Sequence, residues 1–153
     1  AVGAKLFYPD GKIQHAGVTV LGGNPGHTFH GFDGDHPGYF CSNIVNRNYI
    51  GVTAACLMMR QEVFHQLEGL DESFPLNYND VDLCLKAHQA GYRTLVTPYA
   101  QLIHYESASR AKGLKPGEWE RFNDKWNSYL QNLNGDPYYN YNLSCKEANF
   151  QLF

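Results

Sequence analysis

The hydrophobic positions of the chain fall into short runs, and these predict a mixture of strands and helices. Residues 2–8 and 12–21 are strand-like and are separated by the turn sequence Pro-Asp-Gly, so two strands joined by a turn are expected. Residues 50–59 form a nearly continuous apolar run, which favours a strand buried on both faces. Residues 22–39 are rich in Gly and His and have no apolar period, which indicates a long loop.

The segment from about Asp80 to Ala90 is predicted to form a helix. Its apolar positions recur with helical spacing and share one face: Val81, Cys84, Leu85 and His88. We expect Asn79 to be the N-cap, with Asp82 completing an approximate capping box. Gly91 is well placed to end the helix, because glycine readily adopts the left-handed conformation found there.

Further elements follow the same logic on both sides of this helix. A short helix is expected around residues 61–68 and should end at Gly69. Residues 92–97 and 100–105 are strand-like and are predicted to be broken at Pro98. A last helix should begin near Pro116 and carry an apolar stripe. Strands that alternate with helices predict an α/β fold with a mixed sheet and flanking helices.

Composition and charge narrow the classes of function. At 153 residues the chain is long enough for one domain with a core, and its net charge of −3 gives no electrostatic reason to expect nucleic acid. No apolar run approaches the ~20 residues that a bilayer span needs.

The four cysteines are far apart, which excludes a zinc ribbon; Cys56 and Cys84 are predicted to be reduced core thiols in a cytoplasmic setting. The chain begins with a predicted strand and no initiator Met, so we expect it to be part of a longer one.

Asp80 is the first candidate for chemistry. A carboxylate in the first turn of a helix interacts favourably with the macrodipole, and in its charged form it can accept a proton from a hydroxyl. Asp82 lies roughly 200° further round the helix, so the two carboxylates are not expected to share a site. A stabilising charge without catalytic function is the alternative interpretation of Asp80.

His104 is the second candidate, because it ends a predicted strand and is followed by a polar loop. The imidazole is a suitable ligand for Mn²⁺, and Arg110 in that loop could bind a diphosphate with two parallel hydrogen bonds. A hydrogen-bonded structural histidine is the alternative. Asp33 and Asp35 form a superficial Asp-x-Asp motif, but they lie in the Gly-rich loop rather than after a buried strand, so we do not expect them to bind a metal ion.

Three loop histidines are a further feature: His27, His30 and His36. Imidazoles are common ligands of transition metals, but three of them on a Gly-rich loop are more simply explained as part of a flap beside a site or as solvated side chains.

Three segments in order carry a resemblance to a known family: VGAKLFYPDGKIQHAGV, VTAACLMMRQEVFHQLEGLDESFP and YNDVDLCLKAHQAGYRTLVTPYAQLIHYESASR. The series resembles the C-terminal half of family 2 glycosyltransferases, in particular the bacterial rhamnosyltransferase-like group. The resemblance covers about residues 2–110, and the DPYYNYNLS segment of the tail is also similar to that group.

The resemblance implies the GT-A fold, in which a nucleotide-binding half precedes an acceptor-binding half. Residues 1–110 would be the acceptor and catalytic-base half. Residues 111–153 would form a C-terminal helix and an aromatic tail that packs on it. Without the N-terminal nucleotide-binding half, we expect the GT-A domain to be incomplete and the chain alone to be inactive.

The resemblance also implies roles for residues on the acceptor side. Asn79 and Asp80 stand where the family usually has a Glu-Asp pair, whose second residue is the catalytic base toward the acceptor hydroxyl. Asp80 would therefore be the base, and its neighbour Asn79 is neutral where the family has a charged Glu. Asn79 and Ser109 are assigned to the acceptor side.

On the donor side, His104 matches a late histidine of the family that can complete the coordination of a divalent cation, Mn²⁺ or Mg²⁺, when the donor half is present. Thr53, Ala54 and Ala55 match the segment beside the donor sugar, although the family usually has Gly near there. Arg110 would contact the diphosphate.

The expected function is an inverting sugar transfer in polysaccharide synthesis, with rhamnose as one candidate sugar. The implied partners are a dTDP- or UDP-sugar donor and a saccharide or lipid-linked acceptor, in the cytoplasm or in peripheral association with the inner face of the membrane. Two other hypotheses remain open. One is a non-catalytic saccharide-binding or scaffold module that has lost the donor site. A hydrolase with paired carboxylates is less favoured, because Asp80 and Asp82 diverge.

Overall fold

A computed structural model describes residues 1–105 and 116–153 of the protein. In these ranges, seven short strands and three helices follow one another along the chain. The strands are β1 (Val2–Phe7), β2 (Ile13–His15), β3 (Val18–Leu21), β4 (Asn24–His27), β5 (Arg47–Asn48), β6 (Leu57–Met58) and β7 (Leu95–Ile103). The helices are α1 (Gln61–Gln66), α2 (Asn79–Gln89) and α3 (Glu118–Asn132), and 3-10 turns lie at Tyr39–Cys41 and Ala54–Cys56.

The main sheet is mixed, which confirms the α/β prediction. Its strand order is β2-β1-β7-β5, and β6 also pairs with β1. The pairing of β1 with β7 is parallel, whereas β2, β5 and β6 each pair antiparallel with their neighbours. The strands β3 and β4 form a separate antiparallel hairpin. The prediction that residues 22–39 are entirely loop is therefore wrong for β4.

The predicted single strand over residues 12–21 is wrong, because the chain bends between β2 and β3. Gly17 lies at this bend with a φ of +119°, and a Cβ added there would come within 2.5 Å of the Tyr49 ring. Only glycine satisfies both the positive φ and the close approach of the ring. The bend transfers the chain from the main sheet to the hairpin.

The predicted break at Pro98 is a bulge inside one continuous strand. Along the parallel pair, Ala4 lies opposite Thr97, but the next residue, Lys5, lies opposite Gln101. Residues 98–100 therefore have no partner in β1. Proline has no N–H to donate to a ladder, so an irregular position of this kind accommodates it.

The predicted buried strand over residues 50–59 is wrong: Gly51 forms only an isolated bridge with Val18, and the one strand in this range is β6. Ile50 and Val52 are buried, but a 3-10 turn follows and leads into the short edge strand β6, where Met58 is 72% exposed. Thr53 initiates the turn, since its Oγ1 accepts a hydrogen bond from the N–H of Ala55. Local hydroxyl-to-backbone bonding of this kind competes with strand formation. Cys56, which follows, is only half-buried, so the prediction of a core thiol holds for Cys84 and not for Cys56.

The helix α2 confirms the predicted helix and begins one residue earlier, at Asn79. The N-cap position is occupied by Tyr78 in a left-handed conformation, with a φ of +66°, and makes no capping hydrogen bond through its side chain. The assignment of Asn79 as N-cap is therefore wrong. Gly91, with a φ of +81°, follows the helix and donates its N–H to the carbonyl of His88, as predicted.

The other two helices are close to their predicted positions. The helix α1 ends before Gly69, which has a φ of +64°. The helix α3 begins at Glu118 after Gly117, so Pro116 lies just outside the first turn rather than in it. No helix within residues 1–105 and 116–153 combines the length and apolar character needed to cross a bilayer.

The core holds α2 in place from two sides. On one side, Val81 and Leu85 pack with Phe122, Trp126 and Leu130 of α3 in one buried cluster. On the other side, Cys84 belongs to a second cluster that includes strand residues and three residues of the C-terminal tail: Tyr139, Leu143 and Phe150. Both the sheet and the C-terminal segment thus fix the orientation of α2.

Candidate active site

Asp80, in the first turn of α2, is bonded to the turn that precedes β6. Its Oδ2 accepts a hydrogen bond of 3.0 Å from the N–H of Ala54, and its Oδ1 accepts one of 2.8 Å from the N–H of Val81. A carboxylate has about four lone-pair positions, so two remain for a ligand. The side chain is half-buried. Asp80 is therefore a rigidly held carboxylate with accepting capacity left over.

The turn that receives Asp80 is itself fixed by a buried histidine. The N–H of Thr53 donates to Nε2 of His15 over 3.4 Å, and Ala55 donates to Thr53 Oγ1. The structure thus brings Asp80 together with Thr53, Ala54 and Ala55. Ala54 and Ala55 are exposed, and their small side chains leave the backbone of the turn accessible.

The tautomers of His15 and His27 follow from these contacts. His15 Nε2 accepts the N–H of Thr53, so the neutral ring carries its proton on Nδ1. That nitrogen lies 2.9 Å from Nδ1 of His27, which must then accept and hold its own proton on Nε2. Burial lowers the pKa of His15 well below its ordinary value, and the neighbouring His27 lowers it further. His15 is therefore neutral in the folded protein near neutral pH.

Replacing His15 by Gln should reduce the pH dependence of stability. The unfolded chain takes up a proton at His15 below about pH 6.5 and the folded chain does not, so stability is lost as the pH falls. Between pH 7.5 and 5.5, we expect the free energy of unfolding, measured by urea denaturation, to fall by about 1.4 kcal/mol more in the parent than in His15→Gln.

Comparison of the two proteins isolates the contribution of His15. Burial raises the pKa of Asp136 to about 6, which favours the folded state as the pH falls through that range. This opposite effect is the same in both proteins and cancels in the difference. Equal pH dependence in parent and variant would show that the His15 imidazole is accessible to protons in the folded state.

Asp82 is a structural residue in the interior and not a capping residue. It is completely buried, and its Oδ1 accepts hydrogen bonds from Trp126 Nε1 at 2.9 Å and from Lys125 Nζ at 2.6 Å. Lys86 lies 3.6 Å from the other carboxylate oxygen. Lys125 also pairs with Asp71 at 2.8 Å and so connects the loop before α2 to this cluster. The sequence-based separation of Asp80 from Asp82 agrees with these contacts.

The loop that leads into Asp80 is held by a second buried carboxylate, Glu118. Its Oε1 accepts from the backbone N–H groups of Leu76 and Asn77, and its Oε2 accepts from the Asn77 side chain at 2.8 Å. The side-chain amide of Asn79 donates to the carbonyl of Phe74. In this structure Asn79 therefore bonds to its own loop, and its acceptor-side role stays a prediction.

His104 follows the end of β7 and is oriented by a buried glutamine. Its Nδ1 lies 2.7 Å from Oε1 of Gln14, and its backbone N–H donates to the carbonyl of Phe7. Since an amide oxygen can only accept, Nδ1 carries the proton and Nε2 keeps its lone pair. Metal-binding histidines are commonly oriented in this way. His104 thus fits the role of one metal ligand, although the described residues contain no cluster of three His, Cys, Asp or Glu side chains.

The predicted site residues therefore form two groups. Asp80 and the turn at residues 53–55 are in contact, while His104 is held separately by Gln14. The two groups are connected through β2, where Gln14 and His15 are adjacent and should point to opposite faces. Arg110 and Ser109 lie outside the described residues, so their assignments remain predictions.

The residues that sequence analysis missed are His15, Gln14 and Glu118. A polar residue in a predicted strand gives a weak signal: His15 is in phase with the apolar residue Ile13. Nothing in the sequence distinguishes Glu118 from an ordinary charge at the start of a helix.

The loop residues considered as metal ligands are not in contact with Asp80 or His104. Asp33 is exposed and lies 4.0 Å from Lys12. His30 Nε2 is 2.8 Å from the hydroxyl of Tyr8, and His36 Nδ1 accepts from the N–H of Gly38. These contacts disperse the side chains instead of gathering them around one point.

Comparison with known proteins shows relatives in bacteria. The chain is 45% identical over 160 residues to the uncharacterized protein y4gI of Sinorhizobium fredii; the match covers 99% of the chain and 17% of that protein. It is 40% identical over 151 residues to the O-antigen biosynthesis protein RfbC of Myxococcus xanthus, covering 94% of the chain and 12% of the relative. The chain thus spans less than a fifth of the length of either relative.

A shorter match is to an N-acetylglucosaminyl-diphospho-decaprenol L-rhamnosyltransferase of Mycobacterium tuberculosis. The identity is 30% over 61 residues, which is 40% of the chain and 20% of that enzyme. No family model matches the chain, and no solved structure matches it significantly. The relatives with functional names are thus an O-antigen biosynthesis protein and a sugar transferase.

Proposed function

We propose that this chain provides the acceptor side and the catalytic base of a glycosyltransferase that acts in polysaccharide synthesis. The observation that carries the proposal is the position of Asp80. Its carboxylate is fixed to the backbone of a turn with small, exposed residues and retains lone pairs for a ligand. The similarity to an O-antigen biosynthesis protein and to a rhamnosyltransferase supports sugar transfer as the chemistry.

In the proposed reaction, Asp80 takes the proton of an acceptor hydroxyl as that oxygen attacks the anomeric carbon of the donor sugar. The bond from the anomeric carbon to the diphosphate oxygen breaks in the same step, and the nucleoside diphosphate leaves with the bonding electrons. Attack from the opposite side inverts the anomeric configuration. Thr53, Ala54 and Ala55 would lie beside the donor sugar, with room for it provided by the small side chains.

The remaining site assignments belong to the same proposal. His104 would hold a divalent cation, Mn²⁺ or Mg²⁺, through its Nε2, with Gln14 fixing the ring; such a cation neutralises charge that develops on a departing diphosphate. Arg110 would contact that diphosphate, and Asn79 and Ser109 would face the acceptor. The GT-A architecture, a cytoplasmic location and peripheral membrane association stay predictions.

Donor binding by the natural protein that contains this sequence tests the proposal. Calorimetry with a dTDP- or UDP-sugar should show binding heat in the presence of Mn²⁺. His104→Ala should weaken the apparent affinity at least about tenfold, because a ligand of the cation is lost. His65→Ala is the matched control, since His65 is exposed on α1.

Absence of heat with every nucleotide sugar would contradict the enzyme proposal. If simple saccharides alone were bound, the non-catalytic saccharide-binding module would be the better explanation. Equal affinities of the parent and His104→Ala would remove His104 from the donor site.

A further inference from the structure

A cavity of 680 Å³ opens between β1, β7 and the loops around residues 34 and 43. It is distinct from the contacts of Asp80 and lies next to the end of β7, where Ile103 lines it and His104 follows. Cavities of this size are typical of sites for small molecules. What the cavity can bind depends on the polar groups and rings that line it.

Two buried polar side chains line the cavity. Lys5 is 3% exposed, and two of its three ammonium protons are directed to the carbonyls of Gly34, at 2.8 Å, and Asn43, at 3.4 Å. Asn43 is also 3% exposed; its amide nitrogen donates to the carbonyl of His36, but its Oδ1 has no hydrogen-bond partner among the described residues.

The charges of the cavity favour a neutral ligand. Asp35 lines the same cavity, and its carboxylate interacts favourably with the Lys5 ammonium. One positive and one negative side chain leave no net positive potential, so the cavity lacks the cationic character expected of a phosphate site. The remaining N–H of Lys5 and the carboxylate oxygens of Asp35 instead suit groups that both donate and accept, such as hydroxyls.

Aromatic side chains provide an apolar surface beside these polar groups. Phe7 and Tyr8 come from the end of β1, and Tyr99 comes from the bulge in β7. Because residues 98–100 leave the ladder, Tyr99 is turned outward and is 77% exposed. Rings beside a few hydroxyl-binding groups match the two sides of a pyranose, whose edge is polar and whose face carries C–H groups.

We propose that this cavity binds one neutral pyranose ring of the acceptor saccharide. The assignment of this ring to the acceptor rests on the proposed function, whereas the binding of a pyranose ring in the cavity does not. Lys5 Nζ and the Asp35 carboxylate would bond to ring hydroxyls, and Tyr99 would stack on the face of the ring. The cavity would thus hold a sugar unit close to the β7 end that also carries His104.

Chemical-shift titration of the full chain with methyl glycosides of N-acetylglucosamine, glucose and rhamnose tests the binding. At least one glycoside should shift the resonances of Asn43 and Tyr99 with millimolar affinity. Tyr99→Ala should weaken that affinity about three- to tenfold through loss of the ring surface. Tyr99 is exposed, so this variant should fold normally.

Tyr141→Ala is the matched control, because Tyr141 is 84% exposed and does not line the cavity. Its affinity should equal that of the parent. The proposal would be overturned by the absence of binding to all three glycosides, by an equal loss in both tyrosine variants, or by inorganic phosphate occupying the cavity in place of the sugars.

A second measurement separates this proposal from the proposed function. Asp80→Asn should bind the same glycoside as tightly as the parent. In the natural protein, Tyr99→Ala should raise the KM for the acceptor and leave kcat unchanged; an unchanged KM would overturn the acceptor assignment. If Asp80→Asn were fully active, the proposed function would fail while the binding result stood. If no glycoside bound and Asp80→Asn were inactive, only the cavity proposal would fail.

Discussion

Asp80→Asn in the natural protein is expected to lower kcat by about 10²- to 10⁴-fold, the usual contribution of a general base. The change removes the proton acceptor but keeps the size of the side chain. An amide can accept through one oxygen only, so the N–H of Ala54 or of Val81 also loses its partner. Donor affinity should remain close to that of the parent, since the proposed base acts on the acceptor hydroxyl. Steady-state turnover and calorimetric donor binding measure the two effects.

Asp124→Asn is a suitable control for this variant. It makes the same change of charge on the outer face of α3, where the side chain is exposed. Its turnover should equal that of the parent. Unchanged turnover in Asp80→Asn would mean that Asp80 only fixes the turn at residues 53–55. A thermal denaturation profile close to that of the parent would show that any loss of activity comes from the chemistry and not from unfolding.

Asp82→Ala is expected to lower the free energy of unfolding by about 2–4 kcal/mol, because it removes a buried carboxylate that accepts hydrogen bonds from the core and from a charged lysine. The substitution leaves the indole N–H of Trp126 without its acceptor in the core. Lys125 loses its 2.6 Å ion pair with Asp82 and keeps its ion pair with Asp71. Urea denaturation of the full chain, followed by tryptophan fluorescence, measures the effect.

The control for stability is Asp124→Ala, which removes an exposed carboxylate from the neighbouring helix and should change stability by no more than about 0.5 kcal/mol. A loss below about 1 kcal/mol for Asp82→Ala would mean that water enters the cluster and compensates for the missing carboxylate. Asp82 is therefore expected to matter for folding, and Asp80 for chemistry, although they are only two residues apart.

Sequence analysis predicted the elements whose signals are local. The periodicity of α2 and the glycines at positions 69 and 91 identified helices and their ends, because helix spacing and left-handed backbone positions depend on near neighbours. The apolar run at residues 50–59 was misleading. Its hydrophobicity indicated a strand, but the Thr53 hydroxyl stabilises a turn in the middle of the run.

The candidate site was predictable in part. The first-turn position of Asp80 could be inferred from the helix, and the contact of Asp80 with Ala54 is formed by residues 26 positions apart. Gln14 and His104 are 90 positions apart, so their contact depends on the pairing of β1 with β2 and with β7. Long-range contacts of this kind follow from sheet register, which the alternation of a short strand does not specify.

The carboxylate of Glu118 gives the C-terminal helix a direct part in shaping the candidate site. One residue at the start of α3 fixes the backbone at Leu76 and Asn77, a few positions before Asp80. A protein engineer who grafts this site onto another scaffold would therefore have to transfer α3 together with α2. The smallest transferable unit of the site is therefore α2, α3, the loop before α2 and the turn at residues 53–55 that binds Asp80, rather than a sequence motif.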